Sequence, residues 1–184
     1  MGYPAKLCGK LQFQVVASLA MFKLALFKAT IAILVLLVAV LLVTAFAAEL
    51  PSKKYLNLSA IKTMVAAAEA EAQRRHVEVT ICIVDESGNL LFLEKGDSAP
   101  LNTIQWAQKK ARHAAFYKSP SKDAAETVKK GSVEALAYPD FFPNQGGLPI
   151  LLDGQILGGI AASGAKSEVD EAIAQVGLDA LFKK

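Results

Sequence analysis

Hydrophobic positions along this chain of 184 residues follow different rules in different places. From Ala29 to Ala48 no residue is charged and nearly all are apolar, a run long enough to cross a bilayer as a helix. From Leu58 onward the pattern turns periodic. Ile61, Met64, Val65, Ala68 and Ala72 recur at i, i+3, i+4, i+7 and i+11, which predicts an amphipathic helix. Asn57 or Ser59 is placed to cap it, and Arg74, Arg75 and His76 bring positive charge to its C-terminal end, where the helix dipole favours it. Val77, Val79, Ile81 and Ile83 then alternate with Glu78, Thr80 and Cys82. After a turn at Glu86-Ser87-Gly88-Asn89 the chain returns through Leu90 to Glu94, which predicts a β-hairpin. A loop through Gly96-Asp97-Ser98-Ala99-Pro100 leads to a second helix from about Asn102 to Tyr117, stopped by Ser119-Pro120-Ser121, and a third, more polar helix runs from about Ser121 to Gly131. Between Ser132 and Gln145 no period holds, and Pro139 and Pro143 flank Asp140, Phe141 and Phe142.

The stretch from Gly146 to Ala174 carries the densest signal. Leu148 to Leu152 and Gln155 to Ala162 read as strands, and Asp153-Gly154 between them is a two-residue turn that needs positive φ. Gly158, Gly159, Ala161 and Ala162 leave little side chain on the second strand, so backbone or a ligand is expected to approach it closely. Ser167 or the loop before it opens a last helix with Glu168, Asp170 and Glu171 near its start. The layout is helix, hairpin, two helices, hairpin, helix. Both strand pairs are joined by turns too short for a parallel crossover, which predicts an α+β fold with a central antiparallel sheet.

Several of these segments carry motifs in a recognisable order. They are Val84-Asp85-Glu86-Ser87-Gly88-Asn89-Leu90, the Gly96-Asp97-Ser98-Ala99 loop, Lys110-Ala111-Arg112-His113-Ala114, and the Gly-Gly strand, Asp-Gly turn and Ser-Gly-Ala ending of residues 146–165. In this the chain resembles the GlcG/HbpS-like family of haem-binding, haem-degrading domains, over roughly Leu58 to Leu181. The resemblance implies a profilin-like α/β/α sandwich that assembles into homo-oligomers and binds haem. It also exposes a departure: where the family commonly has a threonine linked with haem, this chain has His113, a stronger iron ligand.

Charge and cysteine content change the picture only after the N-terminal segment is set apart. Lys23 and Lys28 precede the apolar run, and Ala45 and Ala47 stand where a signal peptidase requires small residues, so residues 1–47 read as a leader with a possible true start at Met21. Cleavage is expected after Ala47 or Ala48, leaving a linker over 48–57 and a domain over 58–184, secreted or periplasmic. The alternative is a membrane anchor formed by an uncleaved Ala29-Ala48 segment. The whole chain carries a formal charge of +3. Without the four leader lysines, 16 basic residues face 17 acidic ones, a balance that gives no support to nucleic-acid binding. Only Cys82 remains of two cysteines, so no internal disulfide is available, and it reads as a small buried hydrophobe.

The second predicted helix holds the candidate chemistry. With Ile104 at zero, Ala107, Ala111, Ala114 and Ala115 fall within about 80° of it and form the face that packs on the sheet. Trp106, Lys109, His113 and Tyr117 lie on the opposite side, with Lys110 nearby. Three readings of that stripe stand: a haem site with His113 as axial ligand to the iron, aromatic walls and lysines for the propionates; a subunit interface, to which Phe141 and Phe142 would add exposed aromatic surface; or a solvated helix face. His76 is the alternative ligand, at a helix-to-strand junction that suits a cap. Asp97 suits a turn. Enzymatic constellations are weak: His76-Val77-Glu78 lacks the cysteines of a zinc deaminase, no Gly-x-Ser-x-Gly occurs, and Gly146-Gly147 lacks a phosphate-loop setting. The sequence therefore predicts an exported haem-binding protein acting as store, sensor or scavenger, any haem degradation depending on the bound iron. The rivals are a cofactor-free oligomeric module partnering a membrane sensor, and an accessory protein of small-hydroxyacid metabolism.

Overall fold

Both predicted hairpins form, and they meet in one antiparallel sheet. In the computed structural model, which describes residues 5–44 and 52–183, β1 (Thr80–Asp85) pairs with β2 (Leu90–Lys95), and β3 (Gly147–Leu152) pairs with β4 (Gln155–Ser163). The sheet order is β2-β1-β4-β3, so the two central strands are the ones furthest apart in sequence. Their register sets Thr80 opposite Ser163, Cys82 opposite Ala161 and Val84 opposite Gly159. Asp153 and Gly154 both take positive φ, 51° and 76°, as a mirror-image two-residue turn requires.

Helices cover both faces, giving an α+β sandwich of three layers. On one face Ile81, Ile83, Leu148, Ile150 and Ile160 pack against α2 (Leu58–Arg74) and α5 (Ser167–Phe182) through Met64, Ala68 and Ile173. Asn57 caps α2 by accepting the Ala60 N–H. The opposite face carries Cys82, Val84 and Ala161, met by Ala107, Ala111 and Ala115 of α3 (Thr103–Tyr117). The first strand thus departs from its sequence pattern. It begins at Thr80 instead of Val77, and its supposed polar side is fully buried, with the Thr80 and Thr103 hydroxyls hydrogen-bonded at 2.7 Å. Cys82 is buried as expected, and desolvation pushes its thiol up to about 12, so it is inert at neutral pH. α4 (Ser121–Lys129) and a short 3-10 helix (Val133–Ala137) follow α3; the latter lies where the sequence showed no period.

Small residues on the inner strands are explained by α3. A Cβ at Gly159 would lie 2.2 Å from the Ala111 carbonyl oxygen, and one at Gly147 would lie 2.3 Å from that of Lys110. Backbone, not a ligand, approaches β4 on this face. The helix rests directly on the sheet because three alanines and these glycines leave no side chain between them.

Residues up to Ser52 form a separate unit from Lys53–Lys184. Its described residues include one helix, α1 (Ala5–Thr44), within which Met21–Ala39 is long and apolar enough to cross a membrane, a test that a leader near an N-terminus also meets. The expected cleavage positions, Ala47 and Ala48, lie outside the described residues.

Gly159→Ala is expected to lower stability by about 3 kcal/mol, the upper range for forcing a methyl into a packed interior. Urea unfolding followed through Trp106, the one tryptophan of the chain, measures this. An unchanged midpoint would mean that α3 can rise from the sheet without cost.

Candidate functional site

The side of α3 turned away from the sheet is partly covered by the chain itself. Residues 138–145 cross over it as a strap between the 3-10 helix and β3. Phe142 meets Trp106 edge-on at 6.2 Å between ring centroids, and Lys109 Nζ lies 5.6 Å from the centre of the same Phe142 ring. Phe141 stands edge-on to both His113 and Tyr117, at 5.3 and 5.6 Å. His113 and Tyr117, one helical turn apart, stack at 4.6 Å. Polar contacts fix the strap in this position. Arg112 grips Asp140 with two bonds of 2.7 and 3.0 Å and donates a third to the Gly88 carbonyl. The Tyr117 hydroxyl donates to the Pro139 carbonyl, and Ser121 Oγ donates to that of Asn144 while accepting the Gly147 N–H.

His113 lies at the centre of this cluster and is 1% exposed. Its Nδ1 accepts the Phe142 N–H at 3.1 Å. A neutral imidazole has one donor and one acceptor nitrogen, so that bond assigns the proton to Nε2. Nε2 is buried without a partner among the described residues. Burial moves the imidazole below its ordinary value, against the opposing pulls of the Asp140 carbonyl and the Asp123 charge, and the ring is neutral at pH 7.

Trp106, Lys109, His113 and Tyr117 are therefore brought together as the helical spacing predicts, while Lys110 is not among them. It turns inward and is 1% exposed. Its Nζ donates to Asp170 Oδ2 at 2.8 Å and to the Ala162 carbonyl at 3.1 Å, and Asp170 Oδ1 accepts the Ala165 N–H at the start of α5. Burial draws Lys110 down from its usual value and Asp170 up from its own, and the charge of each partner resists both shifts. On a helical projection Lys110 sits beside the stripe, but its flexible stem carries the ammonium inward to Asp170 and the Ala162 carbonyl. As packed, it is committed to tying α3 to α5.

The aromatic argument for self-association also changes. Phe141 and Phe142 were expected to be wet in a monomer, together with Trp106 and Tyr117; instead the two sets cover each other in part, Phe141 and Phe142 being half-buried while Trp106 and Tyr117 stay 41% and 36% exposed. His76 takes a left-handed φ of 56° where α2 gives way to the first strand, and Asp97 lies on an exposed turn, its carbonyl accepting from Lys95. The sequence did not reveal the roles of Arg112, Asp140, Ser121 or Asp170. Asp140 tolerates its φ of 55° better than most residues do, which marks a turn, but nothing in the sequence connects it to Arg112. Among the described residues no three His, Cys, Asp or Glu side chains gather as a metal site.

The described residues thus form a three-layer α+β domain with an aromatic, histidine-centred helix face under a strap. Residues 56–179 match the family of "Haem degrading protein HbpS-like", and the chain belongs to that family. It is similar to Protein GlcG of Escherichia coli, with 31% identity over 114 residues that cover 62% of this chain and 85% of that protein. It also resembles the crystal structure of Klebsiella pneumoniae protein ORFY, with 27% identity and a TM-score of 0.68 over 75% of this chain and 99% of the other. A third likeness is to the crystal structure of a PduOC:heme complex, with 27% identity and a TM-score of 0.65 over 69% and 95% of the two chains.

Lys110→Met is expected to cost about 4 kcal/mol, because it strands a buried carboxyl. Adding Asp170→Asn should restore at least half of the loss by removing that charge while keeping an acceptor for Ala165. Urea unfolding of the two single variants and the double variant measures the coupling. Simple additivity of the losses would show that the pair is not a unit.

Proposed function

We propose that this protein binds haem through its HbpS-like domain and is exported from the cytoplasm, and that outside it the protein serves as store, sensor or scavenger of the tetrapyrrole. The likeness to a haem complex that spans nearly the whole of that chain carries the reading. In this assignment His113 is the iron ligand, Trp106 and Tyr117 are walls, and Lys109 is the cation for a propionate. The residue types suit a flat apolar ligand with acidic edges. Their present packing does not admit one, since Phe141 and Phe142 fill the space over the helix face and Phe142 N–H occupies Nδ1 of His113. Lys110, held by Asp170, is left out of the assignment.

The same packing favours a second reading. An aromatic face closed by its own chain needs no cofactor to be stable, which suits a protein–protein module. Haemin titration of the full chain in dodecyl maltoside, with protein-free micelles as the blank, separates the two. The haem reading expects a shifted Soret band that saturates at a fixed stoichiometry, and His113→Ala weakening binding by about tenfold or more, with His76→Ala as the control. Saturable binding unaltered in both variants would remove His113 as the ligand, and no saturable shift in the unmodified protein would leave the module reading.

Export rests on the lysine-flanked apolar segment of α1 followed by Ala45 and Ala47. Intact-mass measurement of the protein from a cell that secretes it is expected to show a chain beginning at Ala48 or Glu49. A full-length chain that stays with the membrane would establish an anchor instead.

A further inference from the structure

Among the described residues the strap is tied to α3 only through side chains of that helix, with no main-chain pairing between the two. At one end the 3-10 helix of Val133–Ala137 anchors it. At the other Ser121 holds Asn144 and Gly147, and Gly146 follows at a φ of 127°. Between these ends Pro139 and Pro143 have no N–H to give. Asp140 adopts a left-handed φ of 55°, which aspartate tolerates. The contacts to α3 are the Arg112–Asp140 pair, the Tyr117 bond to Pro139, the Phe142 N–H to His113 Nδ1 and the aromatic rings, while the backbone bonds from Phe141 N–H to the Tyr138 carbonyl and from Asn144 N–H to that of Phe142 are internal to the strap. Closure also leaves His113 Nε2 without a partner in a buried place, which counts against the closed form. Beneath the strap, the Nδ1 lone pair points at the Phe142 N–H.

We propose that residues 138–145 form a releasable strap, latched by Arg112–Asp140, whose Phe142 N–H competes with an incoming ligand atom for the Nδ1 lone pair of His113. Lifting it uncovers the face between Trp106 and Tyr117 and presents that lone pair with no shift of the ring proton. The nitrogen that accepts from the strap when closed becomes the one offered to a metal or a donor group when open. Arg112 keeps its bond to the Gly88 carbonyl and its place over the Phe116 ring without Asp140, so the latch can release without loss of the arginine's other contacts. For haem as the ligand the inference rests on the proposed function; the accessibility of His113 does not.

Two readouts keep these apart. Asp140→Asn removes the charge of the latch while preserving shape and tolerance of a left-handed φ, and Phe142→Ala removes the plug if the first variant is disturbed. Carbethoxylation by diethylpyrocarbonate, read peptide by peptide by mass spectrometry, reports exposure of His113 relative to the exposed His76 without any haem. His113 is expected to react about fivefold faster in either variant, the scale of losing one well-formed, partly exposed ion pair. In stopped-flow mixing with haemin the Soret change should accelerate by a similar factor. Unchanged His113 reactivity in both variants overturns the strap whether or not haem binds. Faster reactivity with an unchanged haemin rate overturns the competition, because haem would then bind elsewhere. Faster reactivity with no haemin binding in any of the proteins upholds the strap and ends the haem function.

Discussion

One side of this fold depends on how near α3 comes to the sheet. A helix carrying ordinary side chains sits about 10 Å from the strands beneath it. Here Ala107, Ala111 and Ala115 face Cys82, Val84 and Ala161, and glycines at 147 and 159 lie directly under helix carbonyls. Neither partner has volume to spare. The close seat makes the inner strands poor in side chains without leaving them unpacked, and it rules out a cofactor on that face of the sheet.

The seat also decides what the rest of the helix can do. Lys110 reaches past the start of β3 and the end of β4 to Asp170 and the Ala162 carbonyl, joining α3 to the start of α5 on the other layer. Such a pair does little for net stability compared with a well-packed apolar substitute, yet breaking it is costly. It fixes the rotation of α3 about its own axis, and the rotation in turn sets His113 beneath the strap and leaves Trp106 at the rim. The candidate site is thus a consequence of packing on the far side of its own helix.

Membership of the HbpS-like family and the closed state of the strap are compatible. A histidine held neutral by burial, with one nitrogen engaged by a backbone N–H and the other idle, retains its capacity as a ligand but does not display it. Arg112 connects this arrangement to the β1–β2 hairpin through Gly88, whose added Cβ would meet Phe116.

Much of the molecule was legible in the order of its residues. The helix of Leu58–Arg74, both hairpins, the Asp153-Gly154 turn and the alanine face of α3 are local: periodicity, caps and turn chemistry specify them without knowledge of the rest of the chain. The stripe of Trp106, Lys109, His113 and Tyr117 was readable for the same reason, since 3.6 residues per turn place them together wherever the helix lies. Tertiary structure alone decided what covers that stripe. Arg112 meets Asp140 across 28 residues and Lys110 meets Asp170 across 60, and no local pattern encodes such pairs. A flexible lysine stem can serve either side of a helix, and a Phe-Phe pair between prolines can face solvent, a partner or its own chain. Which of these holds depends on where the backbone passes, and that is fixed by the whole fold at once.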